Sequence, residues 1–393
     1  MKILLRAPLL TQSGYGVHAR QIFDWLKTVN STFDCAPLNW GNTAWYLDED
    51  ALNGRVGEII KRSRSIQERY DVSLQLQLPD EWDIRIAKYN IGITAGVETD
   101  FCNPEWVKCV NRMSLVIVPS KHTRDGFVKA SKLYGIELTT QIIVVPEFYE
   151  KEYASESQTQ ILDLKSDFNF LIVGQLTDHN EANDRKNNMA TLRALLEEFT
   201  PEEGVGVVIK TNSSRNTCID REVTQRKIEE VIISARAQLQ RNTIPVTFLH
   251  GNMTTAEMNS VYRDPRMKAY VNLTSGEGFG LPIMEASLAA LPVIATDWSA
   301  HTEYLGDAFS KVSFRMKKVP DQKIDGRIFV PGASWAKPDI LDFKRKARKL
   351  FEDETTYTLA KMGAVKLSSK LKERLSQREI FKQYSFALNG IIK

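Results

Sequence analysis

Two glutamates flank a glycine-rich turn between residues 275 and 286 of this 393-residue chain. The turn follows an apolar run that is typical of a β-strand, and Pro282 lies where a helix is expected to begin. Three alternating glycines let the backbone approach a ligand closely, and the amides at a helix start favour a diphosphate. Glu277 and Glu285 are then suited to accept hydrogen bonds from vicinal hydroxyls, one pair on a sugar and the other on a ribose.

This segment resembles the E-x7-E signature of retaining GT-B glycosyltransferases, the family that includes sucrose and glycogen synthases. Leu291–Thr296 extends the resemblance, although Ala290 stands where the family more often has glycine. By this resemblance, Glu277 contacts the donor sugar and Glu285 holds the ribose. The turn that follows Glu277 would bind the donor through four consecutive residues, Gly278, Phe279, Gly280 and Leu281.

A basic pair, Arg185 and Lys186, follows an earlier predicted strand. The family usually has an arginine just after that strand and a lysine that opens the next helix, both on the donor diphosphate. Here Gln175 replaces the arginine, Lys186 matches the lysine, and Arg185 is expected to supply the missing charge. Cleavage of a nucleotide-sugar bond leaves a diphosphate whose developing charge must be stabilised. The resemblance implies that basic residues and amides do this without a metal, and that no cofactor is needed beside the nucleoside diphosphate sugar.

The N-terminal half contains two further candidate sites. Gly14 and Gly16 directly follow the first predicted strand and are expected to open a helix, a place suited to a phosphate or an acceptor hydroxyl. Glu98 and Asp100 follow a later strand, and the resemblance makes both candidates to bind the acceptor or assist removal of its proton, with Glu98 preferred. From the residues alone, these carboxylates could equally be helix N-caps.

Short β-branched runs alternate with stretches of helical periodicity, which predicts an α/β fold with parallel sheets. Residues 72–78 alternate between apolar and polar side chains, so that strand is expected to be covered on one face only. The resemblance implies the GT-B architecture of two doubly wound, Rossmann-like domains that face a cleft. The other predicted strands are Lys2–Ala7, Asn90–Thr94, Leu115–Val118, Ile142–Val145, Phe170–Val173, Val205–Ile209, Val246–Leu249, Ala269–Leu273 and Val293–Ala295.

The alternation of strands and helices breaks once, in a polar and charged stretch from Phe148 to Asn169. This break predicts a domain boundary near residue 165. We therefore expect an acceptor-binding domain at residues 1–165 and a nucleotide-sugar-binding domain at residues 166–375. A final helix at residues 376–393 is expected to pack back toward the N-terminal domain.

Composition is that of an ordinary soluble globular protein, with 42% hydrophobic and 26% charged residues. Lys and Arg exceed Asp and Glu by 52 − 49 = +3, too small a bias to indicate nucleic acid or a membrane by itself. No apolar run is long enough to predict a membrane-spanning segment. The four cysteines form no CxxC motif, so neither a disulfide framework nor a zinc site is indicated, and a reducing cytoplasm is expected.

The expected activity is metal-independent, retaining transfer of a sugar from a UDP- or GDP-sugar to an acceptor hydroxyl on a surface glycan or lipid-linked saccharide. The alternative acceptor is a hydroxymethylated DNA base, as in phage enzymes. Lys61–Arg64 and the aromatic stretch Trp40–Tyr46 would suit either. A second alternative is an epimerase, a phosphorylase or a non-catalytic subunit of the same fold. The expected location is the cytoplasm, the membrane periphery or, for a phage protein, the host cytoplasm; oligomeric state stays open.

Overall fold

The computed structural model describes residues 1–64, 66, 69–156, 162–178 and 180–392, so part of the predicted linker, residues 157–161, lies outside the described residues. The chain divides into two compact units. Unit 1 contains Met1–Phe148, Ile324–Ala333 and Gln377–Lys393, and unit 2 contains Tyr149–Lys323 and Ser334–Ser376. This grouping does not test where a domain can be cut, so the domain limits at 165 and 375 stay predictions.

Strands and helices alternate along most of the chain, which confirms the predicted α/β class. The strands are β1 (Lys2–Ala7), β2 (Thr32–Pro37), β3 (Tyr70–Leu76), β4 (Ala87–Ile93), β5 (Leu115–Val118), β6 (Ile142–Val144), β7 (Phe168–Val173), β8 (Val205–Lys210), β9 (Val246–Leu249), β10 (Met267–Asn272), β11 (Val293–Thr296), β12 (Ser310–Val312), β13 (Phe314–Lys318) and β14 (Ser334–Pro338).

The α-helices are α1 (Gly14–Leu26), α2 (Arg55–Ser63), α3 (Pro104–Val110), α4 (Lys121–Tyr134), α5 (Asn188–Glu198), α6 (Cys218–Leu239), α7 (Thr255–Arg263), α8 (Leu281–Leu288), α9 (His301–Leu305), α10 (Ile340–Glu352), α11 (Glu354–Arg374) and α12 (Gln377–Ala387). Their ends follow ordinary capping chemistry. Ser13 caps α1, Ser120 caps α4, and Thr254 forms a capping box with Glu257 at α7. Within the described ranges, no helix is both long and apolar enough to cross a membrane.

Each unit is built on its own parallel sheet. Among the described residues, the sheet of unit 1 has six strands in the order β2-β1-β3-β4-β5-β6. The six described strands of the unit 2 sheet follow the order β12-β11-β10-β7-β8-β9, which is the Rossmann order. Strands β13 and β14 form a separate antiparallel pair. The order in each sheet reverses once, and ligands of doubly wound folds bind at that reversal.

The prediction that the strand at residues 72–78 is covered on one face is wrong. Strand β3 pairs with β1 on one side and β4 on the other, and its polar residues Ser73 and Gln75 are as buried as its apolar ones. Ser73 Oγ donates to Asn90 Oδ1 at 2.7 Å, and Gln75 Nε2 donates to Ser73 Oγ at 2.9 Å. Because these side chains satisfy one another, polar residues occupy a face that alternation alone assigns to solvent.

The core of unit 2 positions the candidate site. Phe170, Ile209 and Val271, from the three central strands, are fully buried and pack with Leu192 of α5 and Phe343 of α10. Near-continuous apolar burial of this kind is typical of parallel strands that are covered by helices on both faces. The carboxyl ends of β7 and β10 are therefore held on a rigid, close-packed base.

Candidate functional site

The glycine-rich turn lies where the strand order of unit 2 reverses. Strands β7 and β10 are neighbours in the sheet, although β8 and β9 come between them in the sequence. The loop after β7 contains Arg185 and Lys186, and the loop after β10 contains Glu277 and the glycines. Both loops leave the carboxyl edge of the sheet, so the fold brings together side chains 91 positions apart.

Gly280 needs to be glycine. It caps α8 with a φ of +93°, a conformation that L side chains rarely adopt, and an added Cβ would lie 3.2 Å from the Tyr304 hydroxyl. That hydroxyl donates to the Gly280 carbonyl oxygen at 2.8 Å. The ring of Phe279 packs on Tyr304 with centroids 5.4 Å apart. Helix α8 begins at Leu281, so the glycine-rich turn lies at a helix N-terminus, where the helix dipole favours an anion.

The backbone of Glu277 is held by the loop that precedes α9. Its N–H donates to Ser299 Oγ at 2.9 Å, and Ser299 has a φ of +84°. His301 holds the turn at residues 296–300, because its Nε2 donates to the Thr296 carbonyl oxygen at 2.7 Å. Burial lowers the pKa of His301, so the imidazole is neutral at pH 7 and carries its proton on Nε2.

The Glu277 carboxylate is buried and paired with a lysine. Lys186 Nζ lies 2.5 Å from Oε1 and 2.7 Å from Oε2, and Arg185 Nη1 lies 3.9 Å from Oε2. Burial alone would raise the pKa of Glu277, but the charges of Lys186 and Arg185 outweigh burial, so its pKa is lowered. Glu277 is therefore an acceptor of hydrogen bonds at neutral pH, not a proton donor.

The loop that carries the two cations is tied to the sheet. Asp184 is 3% exposed and accepts hydrogen bonds from Thr177 Oγ1 at 2.7 Å and from the Lys186 N–H at 3.2 Å. Asn187 has a φ of +53° and donates from Nδ2 to the Leu273 carbonyl oxygen at 2.7 Å. Because Asn187 caps α5, Lys186 lies two residues before that helix and does not open it. The charge of Lys186 is thus held in a loop whose backbone is fixed by hydrogen bonds.

Glu285 has a different electrostatic setting. It lies in α8, partly buried, and accepts a hydrogen bond from the Tyr262 hydroxyl of α7 at 2.9 Å. Burial raises the pKa of Glu285 to about 7, although the hydrogen bonds of Tyr262 and Tyr153 and the charge of Lys210 act in the opposite direction. The Glu285 carboxyl group therefore changes charge near neutral pH.

Gln175, which stands at the position expected for an arginine, lies two residues after the end of β7 and is exposed. Its Nε2 is 3.5 Å from the Ser214 carbonyl oxygen. Arg185 is held differently, because its Nη1 donates to the Gly276 carbonyl oxygen beside the glycine turn. The cation that the family places after β7 is thus absent from that position, and a guanidinium lies against the turn.

In unit 1, Gly14 and Gly16 follow β1 as predicted. Gly14 is exposed and begins α1, whereas the Gly16 N–H donates to Ser13 Oγ at 3.0 Å. A Cβ on Gly16 would lie 2.1 Å from the Thr11 carbonyl oxygen. Gly16 is thus required for close packing, and Gly14 is the residue that exposes backbone at this turn.

The two predicted acceptor-site carboxylates differ in their partners. Asp100 Oδ2 lies 2.6 Å from Lys129 Nζ, so this carboxylate forms an ion pair with α4. Glu98 is partly buried near Tyr15, and its charge contributes to raising the pKa of that phenol after the larger effect of burial. The Tyr15 hydroxyl accepts the Ala95 N–H at 3.0 Å and lies 3.1 Å from Thr94 Oγ1. Tyr15 therefore connects the glycine turn after β1 with the loop after β4.

Sequence reasoning missed the residues that hold the site without belonging to its motifs. Tyr262, Ser299 and His301 contact Glu285, the Glu277 backbone and the following loop, and Asp184 organises the cation loop. Asp184 stands beside the basic pair in sequence, which was a usable signal. In the described part of the chain, no group of three or more His, Cys, Asp or Glu side chains could hold a metal ion.

Known structures resemble this chain over its whole length. Sucrose-phosphate synthase from Thermosynechococcus elongatus superposes with a TM-score of 0.64 at 13% identity, covering 100% of this chain and 99% of that chain. The chain has the GT-B fold. A glycosyltransferase from Rickettsia africae gives 0.62 at 14% identity, with 100% and 98% covered. A trehalose-6-phosphate protein from E. coli, bound with UDP-2-fluoro glucose, gives 0.63 at 12%, with 99% of each chain covered.

Comparisons of sequence add nothing to this likeness. No protein-family model matches the chain, and a search of curated proteins finds no significant match. At identities this low, the structural likeness establishes the fold and not the activity. The activity must be argued from the side chains of the site.

Proposed function

We propose that the protein is a retaining glycosyltransferase that takes a sugar from a UDP-sugar and transfers it to an acceptor hydroxyl. The observation that carries this proposal is the meeting of Lys186 and Glu277 at the strand-order reversal of unit 2, with Glu285 on the helix that follows. A cation for a diphosphate and two carboxylates for two sets of hydroxyls are what a nucleoside diphosphate sugar requires. The UDP-sugar in one neighbouring structure supports the choice of donor.

Glu285 is the proposed ribose contact. Tyr262 donates to its Oε2, Tyr153 also hydrogen-bonds the carboxyl group, and the remaining lone pairs of the carboxylate are proposed to accept from a vicinal hydroxyl pair. Only the ionised carboxylate can accept on both oxygens, so the proposed binding form prevails above the pKa of about 7. If Glu285 binds the ribose, donor affinity should therefore depend on pH, whereas a purely structural role of Glu285 predicts no such dependence.

Lys186, Arg185 and the backbone from Gly278 to Leu281 are the proposed diphosphate contacts. The Lys186 side chain is 17% exposed and already pairs with Glu277, so little side-chain entropy is lost when it binds a phosphate. As the bond between sugar and diphosphate breaks, negative charge develops on the leaving phosphate, and a preorganised cation stabilises it. Arg185 adds a second charge at the same turn.

Glu277 is the proposed sugar contact. Its lowered pKa keeps it ionised, so it accepts hydrogen bonds from sugar hydroxyls and orients the ring against the diphosphate. The proposed retention follows from attack by the acceptor on the face from which the diphosphate leaves. The acceptor oxygen forms the new glycosidic bond, its proton passes to the leaving phosphate, and the old bond's electron pair leaves with the diphosphate. No step requires a metal.

Glu98 and Gly14 in unit 1 are the proposed acceptor contacts, with Asp100 as the weaker candidate because Lys129 already pairs with it. The proposed acceptor is a glycan or a lipid-linked saccharide. The proposed location is the cytoplasm or the cytoplasmic face of a membrane.

The test is release of nucleoside diphosphate from a panel of UDP-, GDP- and ADP-sugars, with and without candidate acceptors. We expect turnover with a UDP-sugar, loss of turnover in Glu277→Gln and Glu285→Gln, and no change in Glu230→Gln, an exposed glutamate of α6. A product with the donor's anomeric configuration supports retention. Wild-type turnover in both site variants, or an epimerised donor in place of a transfer product, would contradict the proposal.

A further inference from the structure

Helix α11 exposes apolar side chains on the side away from its core. Ala364, Leu367 and Leu371 are buried on the inner side. On the outer side Leu359 is 63% exposed, Met362 is 63% exposed and Val365 is 49% exposed. These three residues are spaced three apart, so they follow one another round one side of the helix. Single exposed apolar residues are ordinary, but three within two turns form a patch.

Cations without carboxylate partners border this patch. Lys366, Lys370 and Arg374 lie four residues apart and are all exposed. Among the described residues, no carboxylate lies within ion-pair distance of any of the three. Helix α10 differs, because Lys344 and Lys346 lie 2.6 Å from Glu197 and Asp342 respectively. The charges of α11 are therefore available to an external anion.

A groove of about 620 Å³ runs beside these cations, between α11 and the end of α9. Leu305, Leu367 and Leu371 contribute apolar side chains to it, and Lys366, Lys370 and Arg374 line it with positive charge. The carboxylates that also line it are Glu303, Asp307 and Glu373. Of these, Asp307 is neutralised by Lys311 at 2.7 Å. The groove is thus lined by leucine side chains, by three cations and by three carboxylates.

Helix α11 has a net positive charge. Counting α11 alone, Lys and Arg exceed Asp and Glu by 5 − 2 = +3, as much as the entire chain. Helices α4 and α10 have the same excess of +3, so net charge alone does not distinguish α11. Positive charge beside exposed leucine, methionine and valine matches a surface that offers negative charge and an apolar layer together.

We propose that the outer face of α11, with the groove beside it, binds the surface of a bilayer that contains anionic phospholipids. Lys366, Lys370 and Arg374 pair with lipid phosphates, and Leu359, Met362 and Val365 enter the boundary between headgroups and acyl chains. Duplex DNA would also attract the cations, but it offers no apolar layer for the three exposed side chains. The lipid surface accounts for both features, whereas nucleic acid accounts for only one.

The test is co-sedimentation of the full chain with vesicles of neutral phosphatidylcholine, alone or with 30% phosphatidylserine. We expect the protein to bind the anionic vesicles and the binding to weaken as salt is added. Removal of each cation should weaken vesicle binding by roughly fivefold. Lys366→Glu/Lys370→Glu is expected to lower partitioning by at least about 25-fold. Its control, Lys132→Glu/Lys318→Glu, makes the same charge change at exposed lysines of α4 and β13 and is expected to bind like the wild type.

A second pair separates the apolar contribution from charge. Leu359→Ser/Met362→Ser is expected to weaken vesicle binding, while Ile219→Ser/Ile233→Ser, at exposed positions of α6, leaves it unchanged. Donor turnover in solution should persist in all four variants, which distinguishes this surface from the proposed catalytic site. Three results would overturn the proposal: no preference for anionic vesicles, equal loss in the controls, or an α11 effect on DNA binding or self-association but not on vesicles.

Discussion

The pH dependence of donor binding should follow the ionisation of Glu285. Burial raises the pKa of this carboxyl group to about 7, and its proposed ribose contact needs the ionised form. If only the ionised form binds, affinity should fall about tenfold between pH 8 and pH 6, because each pH unit below the pKa lowers the ionised fraction about tenfold. In Glu285→Gln the remaining affinity should be weak and independent of pH.

Two neighbouring residues allow the midpoint of this profile to be moved in opposite directions. Tyr262→Phe removes the hydrogen bond at 2.9 Å that favours the carboxylate, so the pKa of Glu285 should rise and the midpoint should move to higher pH. Glu150→Gln removes a negative charge that contributes to raising the same pKa, so its midpoint should move to lower pH. Both changes keep the size of the side chain nearly constant.

The assay is isothermal titration with a UDP-sugar between pH 5.5 and pH 8.5. A UDP-sugar is preferred to UDP, because a terminal phosphate itself titrates near pH 6. Glu277 should contribute no change in this range, since Lys186 and Arg185 outweigh its burial and lower its pKa. A flat profile in the wild type, or identical midpoints in wild type, Tyr262→Phe and Glu150→Gln, would refute the assignment of Glu285.

Other variants test stability and charge. Burial raises the pKa of Glu285 in the folded state from 4.5 to about 7, so the protonated carboxyl group stabilises the fold below pH 4.5 and this stabilisation is lost as pH rises through 7. In denaturant titrations, Glu285→Gln should therefore be more stable than the wild type at pH 8 but not at pH 4.5. The difference should be at most about 3 kcal/mol, less where solvent screens the carboxylate, and equal stability at pH 8 would count against it. Gly16→Ala places a Cβ 2.1 Å from the Thr11 carbonyl oxygen and should destabilise by about 1–3 kcal/mol, whereas Gly363→Ala, with nothing within 4 Å, should stabilise α11 by about 0.5–1 kcal/mol; thermal melts that reverse this order would contradict the packing. Lys186→Ala should lower kcat about 10²- to 10³-fold in steady-state kinetics, with Lys349→Ala as the exposed control, and an unchanged kcat would remove Lys186 from the mechanism.

Much of the fold could be predicted from the sequence because parallel strands buried on both faces are continuous apolar runs. The strands at Lys2–Ala7, Leu115–Val118 and Val246–Leu249 have the predicted limits. Strands β2 and β12 were missed, since Thr32, Asp34 and Ser310 interrupt any apolar pattern at the sheet edges. Edge strands bury less surface, so their sequences are less constrained to be apolar.

The sequence predicts the motif residues of the candidate site but not the side chains that surround them. The glycine turn points to Glu277 and the family resemblance points to Lys186, yet their contact at 2.5 Å depends on the strand order of the sheet. The raised pKa of Glu285 depends on burial beside Tyr262, a residue with no local signal. Tertiary contacts of this kind set the chemistry of a side chain, and spacing along the chain does not report them.

A crystal structure with a UDP-sugar bound would test the account most directly. We expect the ribose hydroxyls within hydrogen-bonding distance of Glu285, the diphosphate against Lys186 and the amides at the start of α8, and the sugar beside Glu277. A nucleotide that occupies another part of the chain, with Glu277 and Lys186 still paired only to each other, would contradict it.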